Sequence, residues 1–243
     1  MSQALLTDVL AYAGYVLELG LLVVLLLRGY ANRLTSLVVF VATVFAVDAI
    51  ARPWTLYHYG QKSHQYFVWY WFTELLLVLG IFLLICAFFR RACSRHQEVW
   101  AFVRPVLALV LLLVIAVSGS AFTQHLLHHE LFSRYIFEFG ENLYFSCAVL
   151  NTVLYLMLLR FQDVDGELPL LVCGLGIQCA GPAANSALAY LAGNQGPARV
   201  LLVYLSPLCT LGMLAVWLYA VMREPRHVRR ALNRASQGIP VPA

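Results

Sequence analysis

Five carboxylic acids interrupt stretches of sequence that are otherwise apolar: Glu18, Asp48, Glu74, Glu138 and Glu141. An ionisable group inside a membrane-spanning helix costs roughly 2.5–3.5 kcal/mol or more, so such groups face a bundle interior and mark ion, proton or ligand pathways. Several acids converging on one space would suit a cation, an amine-bearing ligand or exchangeable protons. Each acid also has a local reading. Asp48 and Arg52 stand i,i+4, as do Arg134 and Glu138, and either pair can close on its own helix surface. Glu138 and Glu141 lie close enough to an interface to be solvated. Glu74 follows Tyr70 and Trp71 by one turn, where a phenol or indole can donate to it. Glu18 has no cation in its own stretch, and burial without a partner favours the neutral acid. Three amides extend the candidate lining. Asn142 lies one turn beyond Glu138, and Gln178 and Asn185 share a later stretch with Pro182 and several glycines.

A second constellation is His125, His128 and His129, followed by Glu130. In a helical loop the i, i+3, i+4 spacing puts the three imidazoles on one face, where they could ligate zinc, and His58 and His64 could add ligands. The spacing matches no established metal signature, and a cluster of interfacial histidines is the competing reading. No histidine lies inside an apolar stretch, which argues against a bis-His haem. The last stretch has no lysine, which argues against a covalently bound retinal. Ser118-Gly119-Ser120 has no histidine base in a later stretch to activate it.

The elements that must position these groups are set by composition. The chain is 62% hydrophobic and 12% charged, where a soluble domain carries about 25% charged residues. Its mean hydropathy is +0.78. Lipid is the solvent that such a sequence requires. The apolar runs are long, continuous and leucine-rich, so the expected class is all-α, a polytopic bundle of seven transmembrane helices. The spans fall at 5–27, 34–51, 66–89, 101–121, 135–159, 168–191 and 200–222. The bundle occupies 1–222, and 223–243 forms a basic juxtamembrane tail. The first span lacks a basic n-region and continues to Leu27, which argues for a retained helix.

Orientation follows from arginine. Twelve of the sixteen basic residues, including Arg28, Arg33, Arg90, Arg91 and the Arg223–Arg234 cluster, fall on one side; Arg52, Lys62, Arg134 and Arg199 fall on the other. The richer side is cytoplasmic by the positive-inside rule, which puts the N-terminus outside and the C-terminus in the cytoplasm of a plasma (inner) membrane. On that frame Glu18 lies roughly 16 Å below the outer surface, and the other four acids roughly 5–10 Å deep, at about 1.5 Å per residue. The aromatic run Trp54, Tyr57, Tyr59, Tyr66, Phe67, Trp69, Tyr70, Trp71 and Phe72 falls at the outer interface, as a belt or as an aromatic ligand cage.

An offset of 132 residues lays the first three spans on the last three. It matches Tyr12 with Tyr144, Leu26-Leu27-Arg28 with Leu158-Leu159-Arg160, Leu79-Gly80 with Leu211-Gly212, and Arg91 with Arg223. The result is a 3+1+3 arrangement with the fourth span as connector, although evenly spaced leucine-rich helices also produce such matches. Parallel repeats of this kind place a binding site between the halves. Pro182 removes a backbone hydrogen bond and should kink the sixth span. The six cysteines show no CxxC spacing and read as small packing residues.

Expected partners are the bilayer, anionic lipids along the arginine-rich tail, and a small ligand or cation. A cytoplasmic protein or a second copy of the chain is a further candidate. The formal charge of +4 offers no soluble basic face for nucleic acid. The leading functional reading is an outward-facing acidic pocket of a transporter or sensor. The alternatives are an assembly subunit of a membrane complex, or an intramembrane metal-dependent hydrolase.

Overall fold

The computed structural model describes residues 3–60, 63–94, 96–123, 131–161, 166–192 and 197–223. Its side-chain description leaves out 1–4, 6–8, 31–32, 120–134, 137, 183 and 185–203. The helices are α1 (Gln3–Leu27), the single turn α2 (Tyr30–Arg33), α3 (Thr35–Phe45), a π-helical turn (Ala46–Ala51), α4 (Arg52–Tyr59), α5 (His64–Ala92), α6 (Gln97–Thr123), α7 (Leu131–Arg160), α8 (Leu168–Ala192) and α9 (Pro197–Met222). No strand occurs among the described residues. Six helices are long and apolar enough to cross a membrane. In α8 the apolar stretch that qualifies is the shorter Leu168–Pro182.

The second long helix runs on past the 34–51 span. Residues 35–59 form one continuous rod through the π turn, so Arg52, Trp54 and Tyr57 sit on a helix and not in a loop. The turn has a local cause. Pro53 has no N–H and its ring would collide with a carbonyl one turn back; widening the preceding turn makes room for it. The Arg52 N–H accordingly donates five residues back, to the Val47 carbonyl. Gly60, at φ 73°, ends α4 in a conformation that other residues adopt only under strain. Ser63 then caps α5, its side chain accepting from the Tyr66 N–H at 3.0 Å.

Packing arranges the long helices as a ring. α1 lies against α9 and α3, α3 against α5, α5 against α7, α7 against α8, and α8 against α9; α6 lies outside, mainly on α7. The tightest seam is α8 on α9. A Cβ on Gly174 would stand 2.7 Å from the Trp217 ring, and one on Gly181 2.9 Å from Cys209. Glycine at those two places lets the backbones approach, as in membrane helix pairs generally. Trp217 is fully buried and donates its indole N–H to the Leu171 carbonyl at 2.8 Å. Pro182 lies within α8, which continues through it to Ala192.

One end of the ring is tied by polar contacts. The Arg28 guanidinium donates to the carbonyls of Val221 (2.9 Å) and Met222 (3.0 Å) at the end of α9. Arg91 donates to the Arg33 carbonyl, and the Tyr30 hydroxyl donates to Glu167 at 2.9 Å. Burial, then the hydrogen bond to Glu167, pushes the Tyr30 phenol above its ordinary range. Shifting α1, the rod over 35–59 and α5 by 132 residues brings each onto α7, α8 and α9, with ends agreeing to within about four residues.

Candidate functional site

A cavity of about 430 Å³ opens at the other end of the bundle, between α1, the π turn with α4, the start of α5, and α9. Its walls are mostly apolar, from Leu10, Ala11, Gly14, Pro53, Leu56, Pro207 and Leu211. Its polar groups are Glu18 and Tyr15 from α1, Asp48 and Arg52 across the π turn, Tyr66 from α5, and Tyr204 and Thr210 from α9. A mainly apolar concavity with a few converging polar groups has the form of a small-molecule site, and this one falls at the small end of that range.

Glu18 is the most deeply placed acid. It is 2% exposed, and its Oε2 has no hydrogen-bond partner among the described residues. A buried acceptor left unpaired costs about 1–3 kcal/mol, so its retention is unusual in a part with a purely structural role. Asp48 and Arg52 line the same cavity.

Arg52 organises the remaining charges. Its Nη1 donates to Asp48 Oδ1 at 2.9 Å, on its own rod, and its Nη2 donates to Glu74 Oε2 at 2.7 Å, on α5. Its guanidinium also lies 5.1 Å from the centre of the Tyr70 ring, a cation–π arrangement. All three ion-paired side chains are a quarter to a third exposed. The i,i+4 pairing of Asp48 with Arg52 is therefore present, and it extends across helices to Glu74. One guanidinium is shared by two carboxylates, with a third carboxyl, Glu18, on the same cavity.

The other candidates are placed elsewhere. Glu138 and Glu141, on α7, are half-buried but do not line this cavity. Asn142 donates to Ser118 Oγ at 3.2 Å and so joins α7 to α6. Gln178, on α8, is half-buried, with its Oε1 unpaired among the described residues. Asn185 belongs to α8, but its side chain lies outside the described residues. Of the sequence candidates, Glu18 and Asp48 line this cavity and Glu74 is joined to it through Arg52, whereas Glu138, Glu141, Asn142 and Gln178 lie on α7 and α8 and are not part of its lining.

His125, His128 and His129 lie outside the described residues. Among the described residues no three metal-binding side chains gather. The aromatic run divides. Trp54, Tyr57, Phe67, Trp69, Tyr70 and Phe72 are exposed, and of the run Tyr66 reaches the wall of this cavity. The cysteines are all free; Cys93, Cys147 and Cys179 are buried, and Cys173 is exposed on α8.

Four cavity residues carried no signal in the sequence: Tyr15, Tyr204, Pro207 and Thr210. Each is an ordinary residue of an apolar stretch. Arg52 was visible only as a partner for Asp48 and as a residue of the outer side. The buried Asn151, which donates to the Val172 carbonyl at 3.0 Å, was likewise unmarked. The chain matches no known family model, no curated protein and no solved structure.

Proposed function

We propose that this chain is an integral membrane protein crossing the bilayer seven times, N-terminus outside, and that it binds a small ligand, cation or protons in an outward-facing acidic cavity, as a transporter or sensor does. The observation that carries the reading is Glu18: a carboxyl removed from solvent, with an unpaired oxygen, on the wall of a cavity it shares with Asp48 and Arg52. Membrane-embedded acids of this kind serve substrate and proton pathways.

Two observations support the topology and the 3+1+3 arrangement. Arg28 donates to the end of α9 and Arg91 to the Arg33 carbonyl, so these arginines fall at the end of the bundle opposite the cavity. The packing ring is unchanged when α1, the rod over 35–59 and α5 exchange places with α7, α8 and α9.

Reconstitution into proteoliposomes tests the binding reading. An imposed pH gradient should drive proton or solute movement in the native protein, and Glu18→Gln should reduce it at least about tenfold, the loss of roughly 1.4 kcal/mol of interaction. Equal behaviour of the two proteins in both binding and flux would remove the reading.

A further inference from the structure

We propose that the ligand of this cavity is a compact monocationic amine with an apolar body, and that its ammonium takes the place of the proton on Glu18. The inference rests on the binding reading above and narrows it to one class of ligand. Asp48 and Glu74 share the single guanidinium of Arg52, so that trio carries one negative charge in excess when ionised. Glu18 either adds a second negative charge or holds a proton. An anion entering here meets a guanidinium whose two terminal nitrogens already donate to carboxylates, leaving only its buried Nε–H unpaired, and it meets the excess negative charge of the trio as well. A neutral solute can donate a hydrogen bond to the Glu18 oxygen but leaves the ionised carboxylate without a counter-charge. A single ammonium neutralises the Glu18 carboxylate and pairs its free oxygen, leaving the net charge of the site as it was with the proton in place.

The remainder of the site fits an apolar body. Leu10, Ala11, Leu56 and Leu211 line it, and nothing stands within 4 Å of where a Cβ on Gly14 would lie. Titratable groups reach the cavity from every helix around Glu18: Tyr15 on α1, Asp48 and Arg52 across the π turn, Tyr66 on α5 and Tyr204 on α9, with Glu74 and Tyr70 behind Arg52. Arg52 is the only cation among them, and it is held by the two other acids. Binding is then an exchange. The O–H bond of the Glu18 acid breaks, its proton leaves to the outer water, and the carboxylate pairs with the entering ammonium.

Calorimetry on the full chain in phosphatidylcholine nanodiscs tests this with three probes of one shape: phenethylamine, 2-phenylethanol and L-phenylalanine. Phenethylamine should bind at least about tenfold more tightly than the other two, and two buffers of different ionisation enthalpy should report close to one proton released per amine. Glu18→Gln should lose that preference and that proton. Gly14→Val, which fills the cavity without touching a charge, should lose amine binding while keeping its thermal stability. Equal binding of the three probes, or an undiminished Glu18→Gln, overturns the proposal. If amine preference is absent but Glu18-dependent proton movement persists in proteoliposomes, the amine class falls and the proton reading stands. If both are absent, both fall.

Discussion

Arg52→Met is the perturbation with the most determined outcome. The guanidinium makes two ion-paired hydrogen bonds, 2.9 Å to Asp48 and 2.7 Å to Glu74, and lies over the Tyr70 ring. Removing one partner from a fully buried pair costs about 3–5 kcal/mol, whereas exposed pairs contribute about 0–1 kcal/mol. The side chains here are 27%, 24% and 31% exposed, which places them between those limits but nearer the buried one. Discounting for that partial screening gives a loss of about 2–3 kcal/mol. Two carboxylates are then left facing each other, so the triple variant Arg52→Met, Asp48→Asn, Glu74→Gln should recover more than half of the loss. Arg52→Lys should remain impaired, because one ammonium cannot reproduce a fork that reaches two acids on two helices. Unfolding in mixed micelles, followed by tryptophan fluorescence, measures all three. A single Arg52→Met within about 0.5 kcal/mol of native, the level of an ordinary surface substitution, would mean that the two ion pairs do not stabilise the fold. So would a triple variant no more stable than the single.

Three further outcomes follow from the same coordinates. Glu18→Leu should stabilise the fold by about 1 kcal/mol, because it removes an unpaired buried acceptor, while abolishing ligand or proton movement; a destabilised protein that retains its activity contradicts this. Gly174→Ala should cost about 1–3 kcal/mol, since its Cβ would stand 2.7 Å from the Trp217 ring, whereas Gly14→Ala should leave thermal stability unchanged. Tyr30→Phe should lower stability by about 1.5–3 kcal/mol at neutral pH through loss of the hydrogen bond to Glu167. The sign with pH is fixed by the raised phenol. The neutral form is favoured in the fold, so its contribution is full below pH of about 10, the unfolded value, and is lost as pH rises through the folded one. An alkaline unfolding curve unaltered by Tyr30→Phe would count against that account.

Much of the helical plan could be read directly, because lipid burial requires apolar runs of span length and the chain has them. The boundary of the second helix could not. Arg52-Pro53-Trp54 has the composition of an interfacial loop, and a proline there reads as a helix end as readily as the π turn that carries the helix through it. Glu18 was legible for a simple reason: it is a lone charge in an apolar run, and any packing must account for it. The link from Asp48 through Arg52 to Glu74 was half legible. The i,i+4 step is local, while the step to α5 depends on which helix lies alongside. Glu138 and Asn142 share the composition of pocket residues, yet Asn142 is directed to Ser118 on α6, and no periodicity distinguishes those two outcomes. Tyr204, Pro207 and Thr210 enter the site only because α9 closes the ring against α1.

If the proposed orientation is right, water and small solutes reach the Glu18 cavity from the outer face. Ala11→Cys places a thiol on that wall, and Leu109→Cys places one on the exposed face of α6 as a control. In right-side-out vesicles a membrane-impermeant methanethiosulfonate should modify Ala11→Cys and leave Leu109→Cys unmodified, and inverted vesicles should protect both. An Ala11→Cys protein that stays unmodified from outside, or reacts only in inverted vesicles, would contradict the account.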